Sequence, residues 1–294
     1  MRKLIICQGL PGSGKTTWAK DEIQRAKERN ELYIRVNKDA IRLALEETGW
    51  QWSKQNEKDV IRERDKQIGR AFEEGATVVI SDDTNFGHHP EALTRLGALY
   101  EAGVELKPFH LPIPECIRRD AQRVGKAKVG EAVIYRMANQ NRVYDPCIHE
   151  TVVRDPDLMP AIICDLDGTL ALMNNRNPYN ASQCENDVVN QPVRQIIETF
   201  YRFMQFQIVY LSGRSETFRP QTDAWRRKHT LPPGPLYMRH ALDTRTDWMV
   251  KGELFKYNVE KKYDVRFVLD DRNQVVNYWR EIGLTCLQVA EGDF

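Results

Sequence analysis

At 294 residues the chain is long for one hydrophobic core and comfortable for two, at the usual ~100–200 residues per domain. Hydrophobic residues at 41% and charged residues at 29% lie near globular averages, which excludes an extended disordered chain. With 43 Lys and Arg against 42 Asp and Glu, the formal charge of +1 excludes a uniformly basic face that coats long nucleic acid, though not a local basic channel for a strand end.

The opening MRKLIIC has the basic pair and apolar run of a secretion signal, but the run is too short and passes straight into a glycine-rich loop. Residues 3–7 are therefore predicted to be a strand, followed by a helix over 16–29. Further strands are expected at 32–36, 77–81 and 104–110, separated by helices such as 58–74 and 91–102. Helical periodicity fades after Tyr144, and DPCIHETVVRDPDLMP carries three prolines, so a boundary is expected between 145 and 160. A second alternation follows, with strands at 161–164, 207–211 and 265–269 and helices near 193–204, 222–229 and 274–282. The fold class expected is α/β throughout: two domains, 1–148 and 160–294, each a mainly parallel sheet flanked by helices, joined by a linker at 149–159. No stretch approaches the ~18 apolar residues that span a bilayer, so a soluble protein is expected. The six cysteines (Cys7, Cys116, Cys147, Cys164, Cys184 and Cys286) form no CxxC pair and read as free thiols of a reducing cytoplasm.

In the first half, Gly9, Gly14, Lys15 and Thr16 form G-x-x-x-x-G-K-T between a predicted strand and a predicted helix. The loop through Pro11, Gly12 and Ser13 would turn backbone N–H groups around an anion, with the helix N-terminus adding positive potential. Lys15 would reach the β and γ phosphates of a nucleotide, with Thr16 and Thr17 opening the helix and Thr16 on Mg²⁺. Phosphoryl transfer also needs a base near the γ phosphate, and Asp39 follows the second strand at the end where open α/β sheets bind ligands. The competing reading makes Asp39 the N-cap of a helix starting at Ala40. Arg42, one turn on, points the same way and suits a substrate phosphate. Ser81-Asp82-Asp83-Thr84-Asn85 puts a carboxylate at the same sheet edge, or else only caps a loop. Arg118, Arg119, Arg123, Lys126 and Lys128 form either a solvated basic face or a lid over phosphates, and pattern alone does not choose.

In the second half, an apolar strand runs into Asp165-Leu166-Asp167-Gly168-Thr169. Carboxylates at i and i+2 on an extended segment share a side, so they can hold one Mg²⁺ and divide labour. One attacks phosphorus; the other protonates the leaving oxygen and later activates water. Ser212-Gly213-Arg214 ends the next strand with groups suited to phosphate, Lys251 offsets negative charge, and Asp270-Asp271 adds metal ligands.

These motifs carry a resemblance. DLDGTL and its partners resemble the haloacid-dehalogenase-type phosphatases. The whole chain resembles the bifunctional polynucleotide 5′-kinase/3′-phosphatases of the T-even bacteriophage type, most tellingly in GLPGSGKTTWA, ISDDTN, DLDGTLALMNNRNPY and DDRNQVVNYWREIGLTCLQVAEGDF. The resemblance implies transfer of the ATP γ phosphate to 5′-hydroxyl ends of RNA or DNA. It also implies removal of 3′ phosphates through an aspartyl phosphate, with 2′,3′-cyclic phosphate a further candidate, and Mg²⁺ in both domains. By the same token Asp39 is implied as general base, Arg42 as ligand of the acceptor's 3′-side phosphate, Asp83 as support of the acceptor site and Arg123 as lid arginine on the donor. Asp165 is implied as nucleophile and Asp167 as acid/base, with Arg176, Ser212, Arg214, Asp247, Lys251, Asp270 and Asp271 completing the site. Lys38 stands where the family pattern leads one to expect arginine, and Asp82-Asp83 leaves open which acid acts. Homotetramers working with an RNA ligase in an infected bacterial cytoplasm are likewise implied. The rival readings are a sugar or nucleoside kinase fused to a metabolite phosphatase, and an end-binding scaffold without catalysis.

Overall fold

The computed structural model describes residues 2–53, 55–173, 176–177 and 180–292. The motif DLDGTLALMNNRNPY and the closing VAEGDF therefore run partly outside the described residues. The chain divides into two compact units, Met1–Asn141 and Arg142–Phe294.

In the first unit the order is β1 (Lys3–Gln8), α1 (Lys15–Glu28), β2 (Tyr33–Val36), α2 (Lys38–Glu46), α3 (Glu57–Glu73), β3 (Val78–Asp82), α4 (His89–Leu99), β4 (Gly103–Pro108), α5 (Ile113–Ala121) and α6 (Glu131–Asn141). Among the described residues its sheet has four strands in the order β2-β3-β1-β4, all parallel. The register sets Cys7 beside Asp82 and Val36 beside Ser81, so the loops that follow β1, β2 and β3 open on one edge. A fully buried layer holds that edge in place: Leu4 and Ile6 from β1, Val79 from β3, and Val60, Ile68 and Phe72 from α3.

The second unit contains β5 (Met159–Cys164), β6 (Ala171–Leu172), β7 (Val188–Val189), α7 (Gln191–Phe203), β8 (Gln207–Ser215), α8 (Arg219–Lys228), β9 (Leu236–Arg239), α9 (Asp247–Asn258), β10 (Tyr263–Asp270), α10 (Asn273–Glu281) and β11 (Cys286–Gln288). Its main sheet runs β11-β10-β5-β8-β9, again parallel, and β6 pairs antiparallel with β7 as a small flap beside the end of β5. β5 is central and buried from Ala161 to Cys164, as its unbroken apolar run requires. Two cores cover its faces, one around Trp279 and Phe255 and the other around Trp225 and Tyr210.

The stretch 149–159, read from sequence as a linker, lies in the second unit and lends it contacts: Val152 N–H donates to the Ile282 carbonyl at 2.8 Å. The Tyr278 hydroxyl donates to the carbonyl of buried Ile148, also at 2.8 Å. No helix is long and apolar enough to cross a membrane, among the described residues.

Phe72 is fully buried under the first sheet, so Phe72→Ala leaves a cavity and should cost about 3–5 kcal/mol. Urea unfolding of that variant checks it, and a loss under 1 kcal/mol would show that this layer does not support the sheet.

Candidate active sites

The glycine-rich loop is shaped by close approach. Gly12 and Gly14 have φ of +84° and +97°, open to glycine at little cost. A Cβ on Gly12 would stand 2.5 Å from the Cys116 carbonyl oxygen, and one on Gly9 2.7 Å from that of Phe109. Pro11, Gly12 and Ser13 are buried, Thr16 is half-buried, and Thr17 is exposed on the first turn of α1. Lys15 curls back over the loop, donating to the carbonyls of Gly9 (3.0 Å) and Leu10 (2.8 Å) and to the Ser13 hydroxyl (3.3 Å). Burial lowers its pKa to about 8 against the pull of Asp82. An anionic ligand would supply the countercharge this ammonium lacks.

The next edge loop bears on two readings left open by sequence. Asn37, not Asp39, caps α2: its Oδ1 accepts from Ala40 N–H at 3.1 Å. Asp39 is thereby released from structural duty, 82% exposed at its side chain and bonded to Arg42 Nη1 at 2.5 Å. Asp82 and Asp83 divide their work. Asp83 accepts from Lys38 N–H at 2.9 Å and so bolts the first turn of α2 to the end of β3. Burial raises Asp83, with Lys38 opposing. Asp82 takes Arg35 at 2.6 Å on one oxygen, while its other oxygen is buried without a hydrogen-bond partner beside the start of the loop. Asp83 Oδ2 is likewise buried without a hydrogen-bond partner, and an orphaned carboxylate oxygen is the kind of donor a divalent cation takes.

Sequence reasoning missed Glu57, which grips Arg42 through Nε at 3.0 Å and through Nη2. It stands fifteen residues away across the turn between α2 and α3, with no motif to mark it. Arg118 and Arg119 both pair with Glu115, and Lys126 pairs with Glu46. Arg123 is half-buried beside Asp120.

In the second unit Asp165 follows β5 and is buried, and Lys251 of α9 donates to it and to Asp270, each at 2.8 Å. Ligand oxygens of Asp165, Asp270 and Asp271 lie within 4.8 Å of one another. Burial and neighbouring carboxylates raise Asp165 and Asp271; burial presses Lys251 toward neutrality, but Asp165 and Asp270 outweigh it and hold the ammonium above its usual range. Three crowded carboxylates against one ammonium leave negative charge that a divalent cation matches.

Asp167, expected as a fourth metal ligand, belongs to a different cluster. Its carboxylate accepts from Arg214 Nε (2.9 Å) and Nη2 (2.6 Å) and from Arg176. Both arginines also grip Asp187, which is 3% exposed and was missed because a single acid in NDVVN carries no spacing signal. Ser212 is buried and accepts from Arg214 N–H at 3.2 Å. Asp247 opens α9 between Arg239 and Arg272; burial pushes it up, but Lys251 and both arginines win and hold it low. A cavity of about 590 Å³ joins these groups, with Asp165, Asp167, Arg214, Asp247, Lys251 and Asp271 in its wall.

Residues 159–294 match the family described as the polynucleotide kinase PNKP phosphatase domain, and residues 4–144 match an AAA domain. A protein of Autographa californica nuclear polyhedrosis virus, named as a bifunctional polynucleotide kinase/RNA ligase, is 27% identical over 293 residues, covering 96% of this chain. The chain spans 41% of that curated relative's length. A chain solved in the structure of a Pnkp1/Rnl/Hen1 complex is 32% identical, covering all of this chain and 98% of its own, with a TM-score of 0.48. The Mycobacterium tuberculosis APS kinase CysC is 19% identical over 41% of this chain and 69% of its own, with a TM-score of 0.36.

Gly168 has φ of +82°, and a Cβ there would lie 2.1 Å from Asp271 Oδ2. Gly168→Ala should therefore displace Asp271 and weaken Mn²⁺ binding about tenfold in calorimetric titration of the nucleotide-free protein. Unchanged Mn²⁺ affinity would remove Asp271 from the cation site.

Proposed function

We propose that this chain, which joins an AAA-type kinase domain to a phosphatase domain of the polynucleotide kinase PNKP family, heals broken nucleic-acid ends. It moves the ATP γ phosphate to a 5′-hydroxyl and removes the phosphate from a 3′ end, leaving ends a ligase can join. The observation that carries the reading is two independently built phosphate sites in one chain: Lys15 bent over its glycine loop, and Lys251 bridging Asp165 and Asp270. Mg²⁺ is the proposed cation in both. It would be held by Thr16 with Asp82 in one unit and by Asp165, Asp270 and Asp271 in the other, where it would neutralise phosphate charge.

In the kinase, Lys15 leaves its carbonyl partners for the β and γ phosphates, and Arg123 joins it on the donor. Asp39, solvent-facing on a turn that Asn37 and Asp83 hold rigid, accepts the proton of the attacking hydroxyl. Arg42, oriented by Glu57, takes the acceptor's phosphate.

In the phosphatase, Asp165 attacks phosphorus and forms an acyl phosphate as the P–O bond to the nucleoside breaks. Asp167 gives its proton to the departing oxygen and then takes one from water, which attacks phosphorus and frees Asp165. Lys251, Ser212 and Arg214 would then donate to the phosphoryl oxygens, and Asp187 keeps both arginines oriented.

RNA ligase coupling is supported by the viral relative's name, while homotetramers and the T-even phage type rest only on what the resemblance implies. Six free cysteines suit a reducing cytoplasm.

Separate sites predict separable losses. Lys15→Ala should abolish 5′ phosphorylation and leave 3′ dephosphorylation near wild type, whereas Asp165→Asn should do the reverse. Folded variants that each lose both activities would contradict this reading. Arg42→Ala should raise the acceptor KM or lower kcat with ATP affinity unchanged; weakened ATP binding alone would move Arg42 to the donor side. In Asp167→Asn the proton donor is gone, so an aryl phosphate should lose less of its phosphorylation rate than a nucleoside 3′-phosphate in rapid-quench experiments. Equal losses for the two leaving groups would take general-acid catalysis away from Asp167.

A further inference from the structure

The arginines that follow β4 are not held alike. Glu115 takes Arg118 on both oxygens, at 2.6 and 2.7 Å, and Arg119 at 2.7 Å. Arg123 has a long main-chain bond to the Ala127 carbonyl at 3.3 Å and stands 3.5 Å from Asp120. It is thus less committed than either neighbour, and it is near enough for its charge to act, weakly, on Lys15.

Asp120 is the unusual partner. It ends a surface helix yet is only 1% exposed, a place carboxylates occupy only when well satisfied. Its oxygens accept from Val129 N–H, at 3.2 Å, and from Gly130 N–H at 2.8 Å. Gly130 has φ of +85°, so the chain can turn there and aim both N–H groups inward. One carboxylate therefore pins the two feet of the loop 121–128, while its tip stays in solvent, Val124 being 87% exposed. A loop closed at its feet has less freedom to lose when a ligand orders it.

We propose that Asp120 is a positioning residue for the nucleotide donor: it staples the feet of the loop that carries Arg123 and serves as the resting counter-ion from which Arg123 passes to a phosphate. This rests on the assignment of Arg123 to the donor made above. The staple is the larger part, because three backbone contacts depend on it and the Arg123 pair is loose.

The test is ATP affinity of the full-length chain, by calorimetric titration. Asp120→Ala removes staple and charge and should weaken ATP binding about tenfold to a hundredfold. Asp120→Asn keeps an oxygen for the Gly130 N–H and should stay within about threefold of wild type. In an Arg123→Ala background, Asp120→Ala should add less than about twofold, since its effect travels through Arg123. A structural role alone would weaken binding equally in both backgrounds, and that result, or ATP binding unaffected by Asp120→Ala alone, overturns the proposal. Should Asp120→Ala fail to fold, the Asn variant decides: retention within about threefold supports the staple, and loss as large as that of Arg123→Ala overturns it. Affinity for ATP is independent of the acceptor, so a chain that phosphorylates something other than a nucleic-acid end would sink the end-healing reading while this series still decides Asp120.

Discussion

Charge buried at the carboxyl ends of parallel strands is the constraint on which both units depend. Taking a carboxylate out of water costs several kcal/mol unless a partner compensates. In the second unit Asp165, Asp270 and Asp271 converge because β5 and β10 are adjacent and end together, and Lys251 spans two of them. Three acids against one ammonium leave a deficit of positive charge. In the proposed reading that deficit makes the cavity a receptor for a cation and the phosphate it accompanies.

The first unit solves the inverse problem. There the buried charge on the glycine loop is Lys15, satisfied by carbonyl oxygens and a hydroxyl, and burial has already weakened its hold on a proton. A polyphosphate restores the countercharge that the loop's dipoles only approximate. Around each site, fixed pairs handle orientation: Asn37 and Asp83 set the turn that presents Asp39, and Asp187 with Asp167 sets Arg176 and Arg214. In the first unit the exposed Asp39, the proposed base, is thus presented by residues that are themselves buried.

Much of this was legible in the sequence because its signals are local. A strand, a glycine loop and a helix are contiguous, so G-x-x-x-x-G-K-T and D-x-D-G-T announce their own geometry, and the α/β alternation follows from period-2 and period-3.6 patterns. What sequence did not deliver depends on tertiary neighbours. Glu57 reaches Arg42 across an inter-helix turn, and Asp187 reaches Arg214 across 27 residues. Asp167 follows the same strand as Asp165, yet its carboxylate accepts from Arg214 and Arg176 and stands outside the cluster of Asp165, Asp270 and Asp271. β6, β7 and β11 are two or three residues long, too short for any periodicity to show.

The central claim is that one chain works on both ends of one strand. An oligonucleotide with a 5′-hydroxyl and a 3′-phosphate, incubated with the wild-type protein, a divalent cation and ATP labelled at the γ phosphate, puts it to a direct test. End-group digestion should find the label at the 5′ terminus, a free 3′-hydroxyl, and unlabelled inorganic phosphate released in step with it. An oligonucleotide recovered with both ends unchanged, while the label passes to sugars or nucleosides, would contradict the account.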